Sequence, residues 1–548
     1  MALSSTTSSS TTTATTTAAA VIVATTIATT FTLKKLRQKR LRRRGNFPTS
    51  TPWLLRPLSS IIDLAHLIRS GNLDTFAESR CKALKSSCFY FSLPGMKNGE
   101  TLVVTDPRDH AEIIRKEGKL NMVVDNPDTM NYTHGPGSLQ ALSGQKHNFY
   151  RKIFASLLSP AALNSFTPYL HEAFIDMWAE LEEKCNNSSS SSTSTDDEPV
   201  VVIQDAICKA QFFLMAKILY GMTPKNTPME VLMQMREDFE AQLEGHFASP
   251  KSAKFLKAKE GSERIHKILA DRFNSVLVER RALRSERKNV DFAEEKKDGT
   301  DNNGDDDSNI GNGMETIADA LLREGVDTDP QVLADIVDNL DLLLEASHGT
   351  TMTVTTNTLY YLNHPDNKEK MNKLREEAKQ FASKEVPSFA DLKNNMPYAD
   401  ATIKESMRLA PIVVRLTHAV KDEVEFTFKG QPMQGPASFM LVFAHHFKDA
   451  NIFPMPDTFV PERWIAAGNN EIYVSAEARK TYTPFGAGRH LCLGFKLAEL
   501  VLKSALYCFA RDDSRVIEFD TGKVSKQSGL FPAYSISGGF PGRVVVKT

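Results

Sequence analysis

A cysteine near the C-terminus lies in a segment whose residues suit it to bind a ligand. Three glycines flank Cys492, at positions 486, 488 and 494, and an apolar helical pattern begins directly after it. Glycines let the backbone turn and aim amide N–H groups at a sulfur, and the start of a helix favours negative charge. These features predict that Cys492 is held as a thiolate.

The residues alone leave three roles open for this cysteine. It acts as a small buried hydrophobe, as a nucleophile, or as an axial ligand of haem iron. A nucleophile would need a histidine base at a suitable angle, and His490 is the nearest in sequence.

One long helical pattern is expected to cross the centre of the fold. It covers residues 330–363, opens with Asp329-Pro330 and closes at His364-Pro365. At 1.5 Å per residue its length is about 50 Å. Five threonines between positions 350 and 356 are poor helix formers and predict a locally opened turn.

The remaining pattern is mainly helical with small sheets. Apolar runs typical of strands occupy residues 88–93 and 101–105, and helical periodicity dominates residues 107–410. Strands are predicted again at residues 418–428, at 437–443 and near the C-terminus.

Composition describes an ordinary globular protein and excludes several functional classes. The 66 Lys and Arg balance 67 Asp and Glu, so no general positive field exists for nucleic acid. The six cysteines form no CxxC pair, which argues against a disulfide framework or a structural zinc site built from cysteines. A reducing compartment fits this usage best.

The N-terminus differs sharply from the rest of the chain. Residues 14–33 are uncharged, eight Lys and Arg follow between positions 34 and 44, and no acidic residue precedes Asp63. This pattern predicts a membrane anchor with a cytosolic catalytic domain at the endoplasmic reticulum, and a plastid transit peptide is the alternative.

Three regions follow from these patterns. Residues 1–45 form the leader, residues 46–69 a proline-containing connector, and residues 70–548 a single catalytic domain. Two polar, low-complexity stretches, near 186–197 and 289–312, are predicted to be flexible surface loops.

The cysteine segment resembles the haem-binding loop of the cytochrome P-450 superfamily. The resemblance lies in Phe485-x-x-Gly488-x-His490-x-Cys492-x-Gly494. It implies haem b with Cys492 as the axial thiolate.

Three further motifs resemble those of the family and occur in its order. They are Glu405-Ser-Met-Arg408, Phe459-Val-Pro-Glu-Arg463-Trp and, on the long helix, Ala346-Ser-His-Gly-Thr-Thr351. The family resemblance covers roughly residues 70–548. It implies a mainly α fold with small β-sheets, a helical lobe and a small β-rich N-terminal lobe, and it implies that Glu405, Arg408 and Arg463 form a structural charge network supporting the haem loop.

The long helix departs from the family pattern at one position. Gly349 stands where the family usually has an acid, which with the following threonine, here Thr350, passes protons to the reacting oxygen. Loss of a general acid typically costs 10²–10⁴-fold in rate. Glu345, one turn earlier, and His348 are candidates to supply the proton instead.

The resemblance also indicates which groups meet the haem propionates. His490 and Arg151 are the expected partners, and His147 and His418 are further candidates.

The resemblance implies a monooxygenase that inserts one oxygen atom from O2 into a lipophilic substrate. Residues 137–163 resemble the branch that oxidises sterols, retinoids, carotenoids and other isoprenoids, and Arg415 is a candidate contact for a substrate carboxylate. The alternatives are a reductase-independent isomerase or dehydratase acting on hydroperoxides, and a non-enzymatic haem-binding sensor.

The sequence contains no motif for binding a nicotinamide or a flavin, so electrons must come from another protein. An NADPH-dependent reductase or a ferredoxin is the expected partner. Exposed cations such as Lys152 and Lys496 are candidates for its docking.

Overall fold

The computed structural model of the protein describes residues 47–49, 59–70, 72–92, 100–189, 201–246, 248–295, 317–442, 446–465, 474–528 and 534–546. The predicted leader, residues 1–45, lies outside these residues. In the described part of the chain, no helix is both long and apolar enough to span a bilayer.

The described residues are mainly helical with small sheets, as the sequence predicts. The helices are α1 (Ser59–Ser70), α2 (Leu73–Leu84), α3 (Pro107–Lys116), α4 (Asp128–His134), α5 (Gly144–Ser156), α6 (Pro160–Ser189), α7 (Ile203–Tyr220), α8 (Met229–Gly245), α9 (Ala253–Glu295), α10 (Ile317–Glu324), α11 (Pro330–Asn363), α12 (Lys368–Lys379), α13 (Phe389–Asn394), α14 (Pro397–Leu409), α15 (Ala476–Thr481) and α16 (Phe495–Ala510). The strands are β1 (Cys88–Phe91), β2 (Thr101–Val104), β3 (Val123–Val124), β4 (Val201–Val202), β5 (Arg415–Val420), β6 (Glu425–Phe428), β7 (Gln431–Gln434), β8 (Ala437–Val442), β9 (Arg515–Glu518), β10 (Lys526–Ser528), β11 (Tyr534–Ile536) and β12 (Pro541–Val546).

The largest sheet has the strand order β1-β2-β8-β5-β3, with β2 and β8 parallel and the other pairs antiparallel. Alternate residues of β1 face opposite sides, since Phe89 and Phe91 pack in one apolar cluster while Cys88 and Tyr90 pack in another. Both faces are therefore buried. The sheet joins early strands to strands from the second half of the chain.

The predicted strand at residues 418–428 is instead two strands, β5 and β6, that pair with different partners. β6 forms a hairpin with β7 through Lys429 and Gly430, whose φ angles are 51° and 69°. Positive φ at both turn residues is the geometry that two-residue hairpins favour. The local turn therefore determines where β6 ends.

The long helix α11 has the predicted bounds and is the centre of the helical core. The side chain of Asp329 caps it by accepting hydrogen bonds from the N–H groups of Gln331 and Val332. Its apolar face includes Ile336, Leu340 and Leu344, all at most 1% exposed. Helices α7, α9, α14 and α16 pack against it.

The predicted opened turn within the threonine run is wrong, because α11 is continuous there. Threonine hydroxyls donate to carbonyls one turn earlier, as from Thr353 to Gly349 at 2.9 Å and from Thr355 to Thr351 at 2.8 Å. These bonds satisfy the hydroxyls inside a regular helix. Tertiary packing outweighs the weak helix propensity of threonine.

Two other boundaries differ from the predictions. Helices α6 and α9 extend to Ser189 and Glu295, into the first residues of both predicted surface loops, and the centres of those loops lie outside the described residues. The predicted connector contains helix α1.

Candidate active site

The cysteine segment forms a compact turn in front of helix α16. A 3₁₀ turn spans Gly488–His490, and the Cys492 N–H donates to the carbonyl of Phe485 at 2.9 Å. The backbone N–H of Gly494 donates to the Cys492 sulfur. The loop therefore aims an amide at the sulfur, as the glycine pattern predicts.

The surroundings of Cys492 act on its thiol in two opposing directions. Burial raises the pKa of the Cys492 thiol above its ordinary value, although the Gly494 N–H and the charge of Arg151 act in the opposite direction. Desolvation therefore outweighs the stabilising groups. Coordination to a metal removes the thiol proton outright, so a bound metal is what makes this sulfur anionic.

Glu405, Arg408 and Arg463 form a buried charge network, as the family resemblance implies. The Glu405 carboxylate accepts two hydrogen bonds from Arg408, at 2.9 and 3.0 Å, and one from Arg463 at 3.0 Å. It also accepts from Trp464 Nε1 at 2.9 Å. The side chains of Glu405, Arg408 and Arg463 are 0% exposed.

The same network reaches the start of the cysteine loop through aromatic side chains. The Trp464 and Tyr482 rings are 4.5 Å apart, and the Tyr482 hydroxyl donates to the carbonyl of Lys404 at 2.8 Å. Tyr482 lies three residues before Phe485, where the cysteine segment begins. The network thus contacts a residue close to the start of the segment that carries Cys492.

Three of the predicted propionate partners come together in space. The ring of His490 lies 4.8 Å from that of His147 and 5.9 Å from that of His418, centroid to centroid. Arg151 is beside the cysteine, since its guanidinium donates to the carbonyl of Leu491 at 2.6 Å. Burial lowers the pKa of His490 to about 4 and lowers that of His147 as well.

A carboxylate that the sequence did not single out joins this cluster. Glu117 Oε1 lies 2.6 Å from His418 Nε2, and Glu117 Oε2 accepts from the Arg489 N–H at 2.9 Å. Although burial raises the pKa of Glu117, contact with His418 lowers it below its ordinary value. Glu117 follows helix α3, far in sequence from the cysteine segment, and no local motif marks it.

The central helix presents an open position among buried neighbours. Ala346 is exposed, although Glu345 and His348 on the same helix are buried. The Thr350 hydroxyl donates to the carbonyl of Ala346 at 2.8 Å. A Cβ at Gly349 would meet only Leu243 Cδ1, at 3.9 Å, so this position has room for a side chain.

The two candidate proton donors on this helix have different surroundings. His348 packs against Phe212 and Phe239 at 5.5 and 5.9 Å between ring centroids, and burial lowers its pKa. Glu345 faces His134 and His246, with its Oε2 3.5 and 3.4 Å from their Nε2 atoms.

The residues around Cys492 fit a haem. Cys492 and Ala346 are both exposed, although neighbouring atoms partly desolvate the Cys492 sulfur. His418 Nδ1 is buried and has no hydrogen-bond partner among the described residues. A thiolate suits iron, and the histidines with Arg151 suit two propionates.

The remaining predicted residues lie on other elements. Arg415 begins β5 and is half-buried, and desolvation lowers its pKa. Lys152 pairs with Glu324 at 2.8 Å, and Lys496 is exposed on helix α16.

A model of the family described as Cytochrome P450 matches residues 81–511 of this chain. Similar curated proteins include the cytochrome P450 monooxygenase BOT1 of Botryotinia fuckeliana, 29% identical over 34% of this chain and 35% of its own length. Thromboxane-A synthase of Rattus norvegicus is 31% identical over 32% of each chain. The matches to these two relatives thus span about a third of their length.

The fold is similar to that of a solved structure described as retinoic acid bound cyanobacterial CYP120A1. The TM-score is 0.63 at 17% sequence identity, and the match covers 86% of this chain and 94% of the other. This likeness confirms the mainly helical fold predicted from the sequence.

Proposed function

Because the chain belongs to the cytochrome P450 family, we propose that it is a haem-thiolate monooxygenase acting on a lipophilic small molecule. One oxygen atom from O2 enters the substrate. The observation that carries the proposal is the Cys492 loop: the sulfur receives an amide N–H, Arg151 donates to the neighbouring Leu491 carbonyl, and His490 of the loop lies beside His147 and His418.

The family cofactor is haem b with an axial cysteine thiolate, and here that residue is Cys492. When bound, the haem supplies oxygen activation assisted by electron donation from the thiolate. The Gly494 N–H and the charge of Arg151 orient and partly neutralise the sulfur. The network of Glu405, Arg408 and Arg463 keeps the loop in place.

Proton delivery is assigned to the part of the central helix around the exposed Ala346. Thr350 donates its own hydroxyl hydrogen to the Ala346 carbonyl, so the lone pairs of its Oγ1 remain available to accept a hydrogen bond from a water molecule that relays a proton. Glu345 is the candidate source of that proton through a water chain, and His348 is the second candidate. The Phe212 and Phe239 contacts of His348 favour Glu345 over it.

An isoprenoid, in the sense of a sterol, retinoid or carotenoid, is the proposed substrate class. The similar fold of a retinoic-acid-bound relative is consistent with a long apolar ligand. Arg415 is the proposed contact for a substrate carboxylate, because a desolvated guanidinium binds carboxylates in a bidentate manner.

Electrons are proposed to come from an NADPH-dependent reductase or a ferredoxin. Lys496 is exposed close to Cys492 in sequence and is a candidate docking residue, whereas Lys152 is already paired with Glu324. The proposed location is the endoplasmic reticulum membrane, with the plastid as the alternative.

A second candidate function is a hydroperoxide isomerase or dehydratase that needs no reductase. Gly349 favours it, because the usual proton-donating acid is absent and Glu345 faces His134 and His246. One similar relative is also named a synthase rather than a monooxygenase.

Product analysis by mass spectrometry separates these functions. The purified holoenzyme is incubated with a reconstituted reductase, NADPH and a panel of sterols, retinoids and carotenoids. A product heavier by one oxygen that requires NADPH and O2 is the expected result. Turnover of a hydroperoxide without reductase would assign the second function, and haem binding without either activity would leave a sensor.

The carboxylate contact is tested with Arg415→Leu beside Arg415→Lys. We expect R415L to raise KM for a retinoid acid about tenfold or more while leaving KM for the matching alcohol unchanged, and R415K to lie between. Equal effects on both substrates, or loss of bound haem, would instead place Arg415 at the propionates.

A further inference from the structure

Two histidines and a glutamate meet in the interior, on the central helix but separate from Cys492. His134 ends helix α4, His246 follows helix α8 directly, and Glu345 lies on α11. They are 0%, 1% and 6% exposed, respectively. Three distant segments of the chain therefore bring metal-ligating side chains together in a buried place.

The ligating atoms of these side chains converge without satisfying one another. Glu345 Oε2 lies 3.5 Å from His134 Nε2 and 3.4 Å from His246 Nε2, and one such atom from each residue lies within 4.8 Å of the others. Within the described residues, none of these three atoms has a hydrogen-bond partner. Buried polar atoms are nearly always paired, so a shared ligand is indicated.

Two of the three separations between the ligating atoms match the dimensions of a zinc site. Zinc binds histidine nitrogen and carboxylate oxygen at about 2.0–2.2 Å with tetrahedral geometry. Ligand atoms at the corners of that tetrahedron are then about 3.3–3.6 Å apart. The two measured Glu345–histidine separations, 3.5 and 3.4 Å, fall in this range.

A second carboxylate orients one of the histidines. His134 Nδ1 lies 3.1 Å from Asp341 Oδ2, which is fully buried. Donation from Nδ1 leaves the Nε2 lone pair directed at Glu345. Ligand histidines usually have such a carboxylate partner, and it fixes their tautomer and ring orientation.

Asp341 is itself held by groups outside the cluster. Gln242 Nε2 lies 3.3 and 3.4 Å from its two oxygens, and His266 Nε2 lies 3.4 Å from Oδ2. The orienting carboxylate is therefore positioned independently of the ligand atoms.

Charge also favours a divalent ion. Glu345 and Asp341 bring two carboxylates to the buried group, and imidazoles that bind a metal are neutral. One divalent cation makes the buried group neutral, which removes the cost of burying unbalanced charge.

We propose that His134, His246 and Glu345 bind one divalent transition-metal ion of the zinc class, with Asp341 as the orienting residue. Imidazole and carboxylate ligands suit this class of ion.

The ion would join helix α4 and the connection after α8 to the central helix. The Thr129 hydroxyl donates to the carbonyl of His246, and the Ser262 hydroxyl donates to that of Thr133 at 2.7 Å. These bonds already hold α4 against both neighbouring segments, so the site is largely preformed. A bound ion would also remove Glu345 from proton delivery and leave Thr350.

The direct test measures zinc in the purified holoenzyme. The protein is dialysed against a chelator, titrated with Zn²⁺, desalted, and analysed for metal content and for X-ray absorption at the zinc edge. We expect one zinc per chain with only nitrogen and oxygen neighbours at about 2.0–2.2 Å. No retained zinc, or a sulfur neighbour at about 2.3 Å, would overturn the proposal.

Variants assign the ion to the cluster. Glu345→Gln preserves shape and should weaken zinc affinity at least tenfold, and Asp341→Asn should weaken it about 10–100-fold. His364→Gln, on a half-buried histidine outside the cluster, is the matched control and should retain wild-type affinity. The haem content of each variant shows whether that variant is folded. Equal zinc binding by wild type, E345Q and D341N would contradict the assignment. If a variant fails to fold, the X-ray absorption spectrum of the wild-type protein decides instead.

Discussion

Two buried clusters of this protein are held in different ways. In the charge network, Glu405 is bonded to Arg408, Arg463 and Trp464, and no polar atom of these side chains is among the buried unpartnered atoms of the described residues. On and around the central helix, Glu345 and two histidines leave buried ligand atoms unpartnered among the described residues.

The difference distinguishes a cluster with a structural role from a cluster with a chemical role. A buried network whose polar atoms are all hydrogen-bonded specifies one structure. Buried polar atoms without partners can instead bind a further group. The charge network thus supplies structural support, and the cluster on the central helix supplies groups that can bind a proton or an ion.

The largest expected effect concerns the charge network around Glu405. Glu405→Gln removes the charge between two buried guanidinium groups, and breaking such a network costs about 3–5 kcal/mol in the free energy of unfolding. Urea unfolding of the holoenzyme measures it. Glu369→Gln, at an exposed pair with Lys373, is the control and should change stability by less than about 1 kcal/mol. Similar costs in both variants would contradict the structural role.

The next effect concerns the missing acid on the central helix. Gly349→Asp places a carboxylate where the structure has room, and we expect product formation with a reductase to rise toward the lower end of the 10²–10⁴-fold contribution of a general acid. Gly349→Ala controls for the helix-stabilising effect of replacing glycine. Equal turnover in the two variants would show that proton delivery does not limit the reaction.

A smaller effect is expected from backbone crowding in the cysteine loop. Gly488 has a φ of 71°, and a Cβ there would approach Glu117 Oε2 to 2.5 Å. Gly430 has a φ of 69° with nothing within 4 Å of its Cβ position. Thermal unfolding should show that Gly430→Ala costs about 1–2 kcal/mol and that Gly488→Ala costs about 1–3 kcal/mol more. Equal losses would mean that the Glu117 contact is unimportant.

The smallest effect concerns a surplus cation beside the satisfied network. Lys526 donates to the carbonyl of Leu409 at 3.1 Å, and burial, with the charge of Lys448, lowers its pKa to about 8. Between about pH 8 and 10.5 the folded protein then binds fewer protons than the unfolded chain, so stability rises with pH in this window.

Comparison with Lys526→Met isolates this titration. The free energy of unfolding of wild type relative to K526M should increase by about 2 kcal/mol from pH 8 to pH 10. A difference in unfolding free energy that stays constant with pH would contradict the assignment of the pKa shift to Lys526.

Local motifs explain what the sequence predicts well. Glu405 and Arg408 are one helical turn apart, and the cysteine and its glycines lie within nine residues of one another, so short-range spacing specifies their geometry. The bounds of α11 follow from Asp329, Pro330 and Pro365 for the same reason.

Features that depend on distant segments escape such reasoning. Glu117, His134 and His246 reach the site only through tertiary packing, and no local period marks them. The threonine run misleads because helix propensity does not include hydroxyl bonds to carbonyls one turn earlier. The ionisation of Cys492 depends on burial, which the glycine pattern does not reveal.

The most direct test of the account is the absorbance spectrum of the reduced protein under carbon monoxide. If Cys492 is the axial ligand, the wild-type holoenzyme shows the band that marks thiolate ligation, and Cys492→Ser loses that band while the protein stays folded. A C492S spectrum identical to that of wild type, or no such band in wild type, would contradict the central claim.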